Sequence, residues 1–99
     1  MTFKDLKTGD ILIQRAGHIG VFIEKDHEGV LIYQHGGYDA EDCFNEDLTD
    51  STDDPNGDIM QVYRAEDGAI AISFTDYAEG TLIFERDSSW KRPTTDYNK

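Results

Sequence analysis

Three short apolar runs rich in β-branched residues, set ~10 positions apart, constrain the fold of this chain more than any other feature. Ile11–Arg15 reads ILIQR, His18–Lys25 reads HIGVFIEK and Val30–Gln34 reads VLIYQ. Each has the length of a strand and falls short of a helix with one buried face. Ala16-Gly17 separates the first two runs, and Asp26-His27-Glu28-Gly29 separates the second from the third. Turn chemistry between closely spaced runs predicts an antiparallel meander.

Ile59–Ala65 (IMQVYRA) predicts a fourth strand, with Ile59, Gln61 and Tyr63 facing opposite to Met60, Val62 and Arg64. Thr81–Arg86 (TLIFER) predicts a fifth. Between these two, Ser73 and Asp76 form a capping-box pattern and Gly80 suits a C′ position, so a short helix is expected over Phe74–Glu79. The expected fold is mainly β (α+β): a small, partly open antiparallel β-barrel of SH3-like type, with about five strands, one short helix and a long acidic loop. Residues 1–86 read as one domain and 87–99 as a C-terminal tail.

The acidic loop is the second constraint. Gly36–Asp58 holds nine carboxylates, Asp39, Glu41, Asp42, Glu46, Asp47, Asp50, Asp53, Asp54 and Asp58, and no Lys or Arg. Residues 1–25 carry a formal +1, residues 26–63 carry −11 and residues 64–99 carry −2, which accounts for the net −12. The negative charge is therefore local. Phe44 and Leu48, four apart, predict a helical turn over Asp42–Leu48 pinned by those two side chains. At this length the loop is too long to be mere connection in a compact domain.

A pI near 4.3 disfavours direct contact with nucleic acid or anionic membrane and favours a cationic partner, a metal ion or mere solubility. Cys43 is the only cysteine, so no disulfide can form within the chain. The start, MTFKDLKTGD, lacks the layout of a signal peptide, and no apolar run reaches the ~20 residues of a membrane span. The expectation is a soluble, cytoplasmic protein.

FKDLKTGDILIQR (3–15), GGYDAEDCFNEDLTD (36–50), DIMQVYRA (58–65) and LIFER (82–86) together resemble small acidic proteins of phages and mobile elements in Gram-positive bacteria. The resemblance supplies no catalytic residues. It implies a genetic setting in which small acidic proteins inhibit host defence, anti-CRISPR proteins among them. With the charge pattern, it points to a non-enzymatic inhibitor that occupies the basic nucleic-acid or PAM-binding groove of a Cas9-type nuclease as a DNA mimic. The nine carboxylates are then the partner-binding residues. The alternative within the same setting is an accessory or structural phage protein without inhibitory role.

Other chemistry is weaker. Asp54, Asn56 and Gly57 echo a Ca²⁺ loop, but the terminal positions fall on Thr52 and Tyr63, which lack carboxylates. A weak site among Asp50, Asp53, Asp54 and Asp58 is the remaining metal reading, and no cofactor is implied. His18, His27, His35 and Cys43 have no recognised ligand spacing. Thr8–Ile11 followed by Gly17–Ile23 resembles the GD…HxGxY segment of NlpC/P60-type cysteine amidases, with His18 as base and Cys43 as nucleophile. The carboxylates around Cys43 argue against a thiolate there. Gly36-Gly37 has neither P-loop nor dinucleotide-binding spacing. Trp90 beside Lys91 and Arg92 is either a partner anchor or a cap on one open end of the barrel, and Tyr33 and Tyr38 are either core or contact residues.

Overall fold

The three apolar runs pair as a meander, and three further strands extend it on both sides. The structure is a computed structural model that describes residues 1–65 and 80–93. The strands are β1 (Ile11–Gln14), β2 (Ile19–Lys25), β3 (Glu28–Tyr33), β4 (Tyr38–Ala40), β5 (Ile59–Arg64) and β6 (Thr81–Glu85). All pairings are antiparallel, in the order β4-β3-β2-β1-β5-β6.

Turn chemistry explains both early reversals. The β1–β2 link is Arg15-Ala16-Gly17, closed by the Gly17 N–H on the Gln14 carbonyl at 2.8 Å. Gly17 has φ 98°, the left-handed position that such three-residue links require. The β2–β3 link is the pair Asp26-His27, with φ 54° and 67°, as a type I′ turn demands.

Two expectations are corrected. Among the described residues the sheet is open, with β4 and β6 at its edges, and it has six strands. The extra strand, β4, lies inside the acidic run, where alternation of apolar residues gives no signal. It is three residues long and runs into a 3₁₀ turn at Glu41–Cys43. Among the described residues the only helical elements are 3₁₀ turns at Phe3–Asp5, Glu41–Cys43 and Pro55–Gly57. The helix expected over Phe74–Glu79 lies outside the described residues.

One sheet face carries Leu12, Phe22, Leu31, Tyr33 and Val62. Leu6, from the N-terminal arm, and Phe44, Leu48 and Ile59 close over it. Phe22 packs so closely on Gly29 that a Cβ there would lie 2.7 Å from its ring. The opposite face carries Ile11, Ile13 and Ile19, with Val21, Tyr63 and Trp90 packed against them. Trp90, expected to cap a barrel end, instead packs half-buried on this face of the sheet, and the Arg92 Nε donates to the Gly17 carbonyl at 3.1 Å.

The strict alternation expected along β5 does not hold. Ile13 pairs with Gln61 and Gln14 with Ile59, so Met60 is an inserted residue. This bulge resets the phase. Ile59 joins Val62 in the main core, while Tyr63 packs on the other face.

Candidate functional site

The acidic run is an ordered segment, and its order comes from apolar anchors and backbone hydrogen bonds. Phe44 is 8% exposed and Leu48 fully buried, so both expected pins hold, but the turn between them is not helical. Leu48 has φ 72°, and Phe44 bridges to Asp50 in antiparallel fashion. The Leu48 carbonyl accepts from the Ile59 N–H at 2.9 Å, which ties the segment to the start of β5. A leucine in the left-handed region is unfavourable by roughly 1–2 kcal/mol, and burial of its side chain offsets that cost.

The carboxylates divide into two groups. Asp39, Asp50 and Asp58 are half-buried, and Glu41, Asp42, Glu46, Asp47, Asp53 and Asp54 are exposed. Several hold their own backbone. Asp47 accepts from the Thr49 N–H at 3.1 Å, Asp50 from the Thr52 N–H at 2.7 Å and Asp54 from the Asn56 N–H at 3.0 Å. Asp58 accepts from the Asp50 N–H at 2.9 Å, closing the loop on itself. Hydrogen bonds from Thr49 hold the Asp47 carboxyl below the usual range, and those from Thr52 do the same for Asp50. Both groups therefore stay ionised.

Cations reach this segment from distant parts of the sequence. Arg86 donates to the carbonyls of Ile59 at 2.9 Å and Asp47 at 2.7 Å. Arg15 donates to the Pro55 carbonyl at 3.0 Å and lies 3.7 Å from Asp58. Lys4 lies 3.8 Å from Glu46, an exposed pair of little energetic weight. Both arginines mainly bind main-chain oxygens, which fixes the loop while leaving most of its carboxylates charged at the surface. Among the described residues no three His, Cys, Asp or Glu side chains converge into a metal site. Asp50, Asp54 and Asp58 instead accept from backbone amides.

Beside the start of the run lies a cleft of about 280 Å³ between the β1–β2 and β3–β4 turns. Its floor is a hydrogen-bonded chain. The Gln14 Nε2 donates to the Tyr33 hydroxyl at 3.0 Å, and that hydroxyl donates to Asp39 Oδ2 at 2.5 Å. Gln14 also reaches the Gly57 carbonyl at 3.2 Å. Burial and the adjacent Asp39 push the Tyr33 phenol far up, so it remains a proton donor. The wall is aromatic: His35 lies 4.4 Å from His18 and 5.2 Å from Tyr33 between ring centroids. Burial and then the neighbouring His35 lower the pKa of His18, favouring its neutral form. Its Nδ1 is buried without a hydrogen-bond partner. Tyr38, 71% exposed, stands at the mouth.

Cys43 is half-buried against the main core and does not line the cleft that holds His18. Burial, then the charge of Asp39, pushes its thiol up, away from the thiolate a nucleophile needs.

The chain matches no family model, no curated protein and no solved structure. Among the nine carboxylates, Asp39 alone lines the cleft; the others spread over the loop. Sequence reasoning missed Gln14 and gave His35, Gly36 and Gly37 no role. Gln14 carried a signal: it falls two positions after Leu12 on the core side of β1, where a polar side chain needs a partner.

Proposed function

We propose that the chain is a non-enzymatic binding protein whose acidic segment engages a basic surface on another macromolecule, within the setting of phage or mobile-element inhibitors of host defence. The observation that carries this reading is the six exposed carboxylates on a backbone fixed by Phe44, Leu48, Arg15 and Arg86. A preordered charged surface loses little entropy on binding. A mobile loop would lose far more.

Magnitude narrows the partner. Duplex DNA carries one negative charge per ~1.7 Å, so the six exposed carboxylates match only about 10 Å of duplex. That is the scale of a short base-reading site such as a PAM pocket, well below the roughly 20-base-pair channel of a Cas9-type nuclease. The proposed role is thus an anti-CRISPR-like DNA mimic acting in the host cytoplasm on a local arginine-rich site. An SH3-like relation of the open sheet forms part of this reading, since such sheets offer loops at one rim for partner contact.

The test is retention of the protein on a Cas9-type nuclease across salt. Between 50 and 200 mM salt the affinity is expected to fall on the order of a hundredfold. Glu46→Gln with Asp47→Asn, or Asp53→Asn with Asp54→Asn, is expected to abolish both binding and nuclease inhibition without moving the unfolding midpoint. Salt-independent retention, or full inhibition by these variants, rejects the reading.

One observation favours a phage structural or accessory role instead. Tyr38 pairs with Ile32 at the β4 edge, and the two are 71% and 39% exposed. An exposed apolar pair on an edge strand suits self-association. A monomer by light scattering at high micromolar concentration removes this second reading.

A further inference from the structure

Resting on the reading above, we propose that the cleft beside Asp39 receives the guanidinium of an arginine presented by the basic partner. Two features of the cleft select that group. The first is an acceptor with spare capacity. The Gln14 amide can only donate through Nε2, so the Tyr33 hydroxyl accepts from it and sends its own proton to Asp39 Oδ2. Asp39 is thereby an acceptor held in place, and its second oxygen has no partner among the described residues.

The second feature is the ring wall. His18 and His35 stand 4.4 Å apart, with Tyr38 exposed at the opening. Gly36 and Gly37 leave nothing within 4 Å of the positions their Cβ atoms would take, so access is open. Flat side chains around a carboxylate suit a planar cation that stacks and donates at once. A guanidinium has five N–H donors in a fixed fork, enough to take the spare oxygen of Asp39 while its plane lies against the rings.

Competing ligands fit less well. A lysine ammonium is compact, strongly hydrated and not planar. A nucleotide would bring phosphate against Asp39 and the acidic run that begins with it. A metal would need a third converging ligand, which the described residues do not provide. Asp39 belongs to both the cleft and the acidic run, so an arginine seated here comes from the same basic surface that faces the exposed carboxylates.

The test is an NMR titration of the full chain with N-acetyl-arginine amide and, separately, N-acetyl-lysine amide, observing backbone amides and the imidazole nitrogens. The arginine probe is expected to shift Tyr38, Asp39 and the His18 and His35 rings, and to bind at least tenfold more tightly than the lysine probe. Tyr38→Ala, at an exposed position, and Asp39→Asn, which keeps an acceptor for Tyr33, should each remove that preference. Equal response to the two probes, or shifts confined to the exposed carboxylates, overturns the proposal. If the cleft is silent while the Glu46/Asp47 variant still loses the nuclease, the acidic-surface reading stands and this inference falls. If arginine binds the cleft but nuclease retention ignores salt, this inference stands and the broader reading falls.

Discussion

Asp10 and Asp47 carry the same side chain and serve opposite ends. Asp10 is 2% exposed and meets Arg64 through two hydrogen bonds, Nε at 2.9 Å and a terminal nitrogen at 2.8 Å. It also accepts from the Lys7 N–H at 2.8 Å, so one carboxylate ties the N-terminal arm to β5. Hydrogen bonding to Asp10 raises the Arg64 pKa further, keeping the guanidinium charged. Asp47, in the acidic run, is exposed and accepts only from Thr49, its own near neighbour. The first carboxylate is consumed by structure; the second remains available to a partner. What separates them is a guanidinium bonded to the carboxylate itself, where Arg86 takes only the Asp47 carbonyl, and the exclusion of water.

The largest expected effect breaks the first half of that contrast. Leaving Arg64 without its buried partner, Asp10→Ala should cost about 3 kcal/mol in chemical denaturation. An effect below about 1 kcal/mol would place Asp10 among the surface acids. Glu46→Gln with Asp47→Asn should by comparison move stability by less than about 0.5 kcal/mol.

Leu48 probes how the acidic segment is held. Leu48→Ala should cost about 3 kcal/mol, since a fully buried side chain is lost. Leu48→Gly should be no worse than the alanine variant, although glycine usually costs more, because φ is 72° here. A glycine variant clearly less stable than the alanine one would mean that the left-handed backbone is not retained.

Acid titration gives the smallest and most graded effect. His18 has a lowered pKa in the folded state, so below its ordinary 6.5 the unfolded chain takes up a proton that the folded chain resists. Stability should therefore fall as pH drops from 6.5 toward the lowered value, and His18→Gln should remove that step. Asp47 and Asp50 are also lowered, from an ordinary 3.8, by their threonine hydrogen bonds. Their contribution is present above 3.8 and is lost as pH falls through the folded values. Thermal unfolding midpoints between pH 8 and pH 3 read both steps. A curve flat down to pH 4 would remove His18 from the account.

Much of this molecule was legible in local pattern. The meander followed from alternation and turn residues, because both are set within a few positions of chain. Phe44 and Leu48 were visible as anchors, since two large apolar side chains in a run of acids have few other uses. Their helical geometry was misjudged: spacing alone does not distinguish a helical turn from a tight loop with one left-handed residue. The phase change at Met60 was equally hidden, because a bulge depends on the pairing strand and leaves no mark in β5 itself.

By itself the sequence determined a β-rich chain with its negative charge gathered in one stretch, for both properties are sums over neighbours. Only the tertiary structure decided which charges stay free. Strand register brings Arg64 to Asp10 across 54 positions, Arg86 to the Asp47 carbonyl across 39, and Gln14 to Tyr33 across 19. A one-residue slip in any of these pairings would turn the side chain to the other face of the sheet. The cleft at Asp39 exists because that register holds.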